Sequence, residues 1–186
     1  MIGYAFCGSY CTHAASFREL EKLIAKGVEV LPIVSENVYS TDTRFGRAEE
    51  LCQKLEALCG RSVVHSIVDA EPLGPKTELE ALIIAPCTGN TLAKMAAGIT
   101  DTTVCMAAKA HLRGNRPLVI ALASNDALSA NLKNIATMLS RKFVYFVPLF
   151  QDDPLKKPHS LIANFTLLEP TLECAISGKQ YQKIFV

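Results

Sequence analysis

Residues 83–101, IIAPCTGNTLAKMAAGITD, constrain the fold more than any other stretch of the chain. An apolar run, Leu82 to Ala85, stops at Pro86. Small polar residues follow at once, and a helical pattern opens at about Asn90. A buried strand that breaks into a small-residue turn and reopens as a helix is where α/β proteins hold anionic cofactors. The first amides of the helix have no intrahelical partner, and they carry a partial positive charge. Thr88, Asn90 and Thr91 add side-chain donors, and Gly89 lets a ligand approach the backbone. The spacing is neither a Walker loop nor a G-x-G-x-x-G fingerprint. The same residues also describe an ordinary strand-to-helix turn with a capped helix.

The rest of the chain alternates in the same way. Strand-like runs are expected at Ile2–Phe6, Val28–Val34, Ser62–Val68, Leu82–Ala85, Leu118–Ala121 and Phe143–Val147. Helical patterns fill the gaps at about Thr12–Lys26 (stopped by Gly27), Phe45–Leu58 (stopped by Gly60), Thr91–Ala97, Val104–Leu112 and Leu128–Leu139. A C-terminal helix is expected from about Leu161 to Ile176, with Pro170 as a possible interruption. Strands this apolar, spaced by helices, imply a parallel sheet covered on both faces. The expected fold is a three-layer, Rossmann-like or flavodoxin-like, doubly wound α/β sheet. Its strand order is expected to be 3-2-1-4-5-6, with the ligand crevice at the carboxyl ends of the central strands.

The 186 residues suit a single domain, spanning 1–186. The net charge of +1 argues against nonspecific nucleic-acid binding, and no apolar run reaches membrane-spanning length. No basic leader precedes Ile2, so no secretory segment is expected. The seven cysteines are scattered, form no CxxC pair, and do not cluster with the four histidines. That pattern speaks against a disulfide scaffold or a metal site, and for a reducing cytoplasm. Cys52 and Cys59, seven apart on a helical pattern, are expected to face the core.

The residues after each strand share a character. Gly8 and Ser9 follow the first, Ser35 the second, Pro86 to Thr91 the fourth, and Ser124, Asn125 and Asp126 the fifth. Short hydroxyl and amide side chains with small neighbours and few charges suit a phosphate held by hydrogen bonds beside a flat, polar-edged ring. Each group taken alone also reads as a turn or a helix cap. No G-x-S-x-G elbow or Ser–His–Asp order points to a hydrolase.

The stretch APCTGNTLAKMAAGITD resembles the flavin-binding signature of the flavin-containing cysteine decarboxylase superfamily. That group includes peptidyl-cysteine and phosphopantothenoylcysteine decarboxylases and flavin prenyltransferases. The likeness rests on Pro86, Thr88, Asn90, Thr91, Ala93, Lys94, Gly98, Ile99 and Asp101, with Cys87 and Gly89 as variations. Gly8, Ser9 and Ser35 also match FMN contacts of the family. The resemblance implies FMN as cofactor, bound by Gly8, Ser9, Ser35, Pro86, Cys87, Thr88, Asn90, Thr91, Ser124 and Asn125.

Four segments are similar to one branch of that group, found in spore-forming bacteria: GYAFCGSYCTH, AEPLGPK (Ala70 to Lys76), the APCTGNT turn and ALASNDALSANLKNI. This implies a part in converting dihydrodipicolinate to dipicolinate in the mother-cell cytoplasm, with a partner A subunit of nicotinamide-binding fold. The substrate would be a small dicarboxylate, with Lys76 and Asn125 as candidate contacts. His65, Lys94 and Cys87 are candidate catalytic residues. The related decarboxylases assemble through trimers, and the small residues Ala93, Ala96, Ala97 and Gly98 fit an oligomer interface or close packing within a single chain. The decarboxylases carry a Pro-x-Met-Asn-x-x-Met segment after strand five. Here only Asn125 survives, with Ser124 and Leu128 at the methionine positions, and His65 lies earlier than the family's active-site histidine. Both departures argue against cysteine decarboxylation.

Overall fold

A computed structural model describes residues 1–74 and 76–186. Four parallel strands carry the centre of the sheet: β1 (Ile2–Phe6), β2 (Val30–Val34), β3 (Leu82–Cys87) and β4 (Leu118–Ser124). They lie in the order β2-β1-β3-β4. The side chains of β1 and β3 are buried throughout, and so are those of β4 up to Ser124. The apolar runs that suggested strands buried on both faces have that cause. A fifth strand, β5 (Val144–Phe146), pairs in parallel with the first half of β4.

Helices cover both faces: α1 (His13–Ala25), α2 (Glu36–Ser40), α3 (Ala48–Cys59), α4 (Ile67–Ala70), α5 (Gly89–Ala97), α6 (Thr103–Leu112), α7 (Leu132–Leu139) and α8 (Leu168–Ile176). A short 3-10 turn, Tyr10–Thr12, leads into α1. α1 is pinned beneath the strand ends, because the Ser16 hydroxyl donates to the Ala85 carbonyl at 2.5 Å. Glu36, at the head of α2, accepts from both the amide and the hydroxyl of Thr103 at 2.7 Å, which fixes the start of α6.

The doubly wound order holds, with corrections at three places. The expected third strand, Ser62–Val68, contracts to one parallel bridge between Val64 and Ile33. The Ser66 hydroxyl accepts from the Asp69 amide at 3.1 Å and starts α4, which takes up Ile67 and Val68. The helix expected from Leu128 begins at Leu132, after turns that bring the Asn131 amide to the Asp126 carbonyl. The C-terminal helix begins only at Leu168. Pro170 lies in its first turn, where a missing N–H costs no intrahelical bond, so it interrupts nothing.

Ahead of that helix the chain forms an antiparallel addition missed in the sequence. β6 (Leu149–Phe150) pairs with β7 (Leu161–Ala163), and β7 pairs with the last residues of β4. β7 thus continues the edge of β4 where β5 leaves off. It carries residues 151–160 to the carboxyl end of the sheet.

Candidate functional site

From β1 the chain moves out to β2 on one side, then returns past β1 to β3 and moves on to β4 on the other, so the order reverses between β1 and β3. In open α/β sheets that is where ligands bind. A cleft of about 640 Å³ opens there, within the range of small-molecule sites. Its walls come from the ends of four neighbouring strands. Gly8 and Ser9 follow β1, Thr88 to Asn90 follow β3, Ala123 to Asp126 end β4, and Asp152, Lys157 and Ser160 precede β7. The Cys7 amide donates to the Pro86 carbonyl at 3.1 Å and holds the β1 and β3 mouths together.

The floor is a hydrogen-bonded network around Asp126. Its carboxylate accepts from the Ser124 hydroxyl and, at 2.9 and 3.0 Å, from the Asn131 amide. These bonds, the Ser124 one foremost, hold the Asp126 carboxyl below its ordinary range, so it stays an acceptor. Gly89 rests directly on this network. A Cβ there would lie 2.5 Å from Ser124 Oγ and 2.6 Å from Asn131 Nδ2. Any larger residue there would force the Ser124 or Asn131 side chain to shift.

The sequence-derived site residues divide into two groups. Gly8, Ser9, Thr88, Asn90, Ser124 and Asn125 line the cleft. The Thr88 hydroxyl accepts from the Thr91 amide at 3.2 Å and caps α5, which leaves the first-turn amides of Gly89 and Asn90 for a ligand.

Ser35, Pro86, Cys87 and Thr91 instead hold the turns from behind. The Ser35 hydroxyl accepts from the Val38 amide and caps α2. The Thr91 hydroxyl is buried between Thr88 Oγ1 at 3.0 Å and Cys7 Sγ at 3.4 Å. Cys87 is wholly buried behind the turn and does not line the cleft, and burial pushes its thiol well above the ordinary value. Burial pushes the neighbouring Cys7 thiol up to about 12.

The remaining candidates lie elsewhere. His65 stacks face to face on Tyr39, with ring centroids 3.9 Å apart, in a separate depression between α2 and α3. Lys94 folds back on Asp101 at 2.8 Å, and that carboxylate holds its ammonium protonated above the ordinary range. Lys76 is exposed at the other end of the sheet. Its loop, pinned by Gly74 against the Ala110 carbonyl near the end of α6, lies by the entry to β4. Pro75 of the AEPLGPK segment lies outside the described residues. The cysteines are all free thiols; Cys52 is buried and Cys59 half-buried. Sequence reasoning missed Asp152, Lys157 and Ser160, because it ran a helix through the strand that delivers them.

The profile of the family described as Flavoprotein matches residues 2–162. The chain belongs to the Flavoprotein family. Within it, the chain is 48% identical to the B subunit of dipicolinate synthase from Bacillus subtilis (strain 168) over 185 residues, covering all of this chain and 92% of that protein. The crystal structure of the dipicolinate synthase B subunit from Bacillus halodurans matches with a TM-score of 0.91 and 41% identity, over 100% of this chain and 95% of that one. An FMN-dependent cysteine decarboxylase, SpaF, matches with a TM-score of 0.67 at 22% identity, over 95% and 94% of the two chains, and shares the fold. For a Flavoprotein-family chain the cleft has a fitting donor set. Backbone amides, hydroxyls and side-chain amides line it, and the residues it takes from the β1 and β3 turns include the small Gly8, Ser9, Thr88 and Gly89. Among the described residues no helix is long and apolar enough to cross a membrane.

Proposed function

We propose that this chain is the FMN-binding B subunit of a dipicolinate synthase, taking part in the oxidation of dihydrodipicolinate to dipicolinate during sporulation. The observation that carries the reading is the cleft itself. Uncharged donors from β1, β3 and β4 converge on one space, in a chain whose whole length is 48% identical to a dipicolinate synthase B subunit.

Gly8, Ser9 and the first-turn amides of α5 would hold the phosphate. Thr88 keeps that turn in shape, and Pro86, Cys87, Thr91 and Ser35 support it from behind. Ser124, Asn125 and Asn90 face the ring and the substrate side. A flavin held there would supply the acceptor for the two electrons that the dihydropyridine loses, with two protons, on becoming aromatic. The protein's part is to bind, orient and shield the dicarboxylate substrate. The partner is the A subunit of dipicolinate synthase, the assembly is built from trimers of this chain acting as one 186-residue unit, and the compartment is the mother-cell cytoplasm.

A second reading has a specific observation behind it. Cys87 is buried, His65 and Lys94 lie outside the cleft, and Asp126 is held as a hydrogen-bonded carboxylate. A cleft with no poised base among these groups fits a noncatalytic partner of the nicotinamide-dependent A subunit. Measuring dihydrodipicolinate oxidation with the A subunit, with this chain plus FMN, and with both together decides between them. Full rate only with the flavin-loaded chain supports catalysis here. Full rate without this chain refutes it.

A further inference from the structure

Among the described residues, the cleft is lined by one cation, Lys157, and two carboxylates, Asp126 and Asp152. Asp126 is already supplied with donors by Ser124 and Asn131. The Lys157 ammonium donates to Asp152 at 2.7 Å. Lys157, from the segment before β7, and Cys11, just past the β1 turn, both line this cleft.

The segment that carries it is braced. The Lys157 amide donates to the Asp153 carbonyl at 2.7 Å, the Ser160 amide to the Lys157 carbonyl at 3.0 Å, and the Leu128 amide to the His159 carbonyl at 2.9 Å. The Lys157 side chain is 54% exposed and can swing, whereas Asp152 is 26% exposed. An anion entering this cleft meets two negative groups and a single countercharge.

We propose that Lys157 is an anion-binding residue of the cleft, with Asp152 holding its ammonium in place until an oxyanion of the ligand takes it. This rests on the functional reading above. The oxyanion is either the flavin phosphate or a substrate carboxylate, both of which accept from an ammonium in the same way.

The test uses the full-length chain and the variants Lys157→Gln, Lys157→Arg and Asp152→Asn, each first checked for unchanged thermal unfolding. FMN and riboflavin are titrated by flavin fluorescence. Dipicolinate and picolinate are then titrated into the flavin-loaded chain by the shift in flavin absorbance. If the phosphate is the partner, Lys157→Gln weakens FMN about tenfold or more and leaves riboflavin unchanged. If a substrate carboxylate is the partner, it weakens dipicolinate by as much relative to picolinate and leaves FMN unchanged. In either case Lys157→Arg retains binding, and Asp152→Asn tightens it by removing the competing carboxylate. Unchanged ratios for both pairs in Lys157→Gln overturn the proposal while leaving the functional reading standing. A wild-type chain that binds neither flavin nor dipicolinate overturns that reading, and the role of Lys157 with it.

Discussion

Replacing Gly89 with alanine should loosen the cleft floor while removing no donor. The added methyl would lie 2.5 Å from Ser124 Oγ, 2.6 Å from Asn131 Nδ2 and 3.0 Å from Asp126 Oδ1. Real Cβ atoms do not approach that closely, so Ser124, Asn131 or both must move off Asp126. Each hydrogen bond to a charged group contributes about 1.5–3 kcal/mol. Asp126 is half-exposed, so the low end applies to the pair that is disturbed. Alanine returns up to about 1 kcal/mol of helix propensity, and less at the first helical position. The net cost is about 2 kcal/mol, or a fall in Tm of about 4–8 °C for a chain of this size.

The pH dependence follows from Asp126, whose folded pKa is depressed by those bonds. Its contribution is fully present above the unfolded value of about 3.9 and is lost as pH falls through the folded value. The gap between wild type and Gly89→Ala should therefore be full at pH 7 and narrow below about pH 4. Thermal unfolding followed by circular dichroism at both pH values reads this. A variant that melts with or above wild type at pH 7, or a gap unchanged at low pH, refutes the reasoning.

Thr88→Ala should cost about 1 kcal/mol through loss of the α5 cap and weaken FMN binding, with Thr88→Ser restoring both, as read by melting and flavin titration. His65→Ala should lose about 0.5–1.5 kcal/mol of stacking on Tyr39 while leaving the flavin affinity unchanged, since the pair lies outside the cleft. Under native alkylation read by peptide mass mapping, exposed Cys11 should react long before buried Cys87, and equal labelling would contradict the burial argument.

The apolar strands and the β3–α5 turn were legible because their signal is local. Pro86, the small residues and the capping Thr88 dictate a strand-to-helix turn wherever it is placed. The strand order also followed, from burial on both faces and right-handed connections. Two segments misled. Leu161–Ala163 fits a short strand as well as a helix start, and only pairing with Ala123 and Ser124 decides it. That one ambiguity concealed Lys157. Ser62–Val68 carries β-branched residues, but the Ser66 cap draws Ile67 and Val68 into a helix turn. In the site, the signature residues after β3 share one stretch yet have different roles. Asn90 faces the cleft, whereas Cys87 and Thr91 are packed behind it. Residue type alone does not separate these, because the direction of each side chain depends on the turn that Thr88 closes. Lys76 was drawn toward the substrate by its charge, and only the Gly74–Ala110 packing shows that its loop belongs to the opposite end of the sheet.

The most direct test of the account is a titration of the purified chain with FMN, followed by fluorescence quenching and the visible spectrum. Saturation at one FMN per chain is predicted, with the affinity lowered about tenfold or more when Ser9 is replaced by a side chain that fills the cleft. A chain that leaves FMN fluorescence unquenched at every concentration would contradict it.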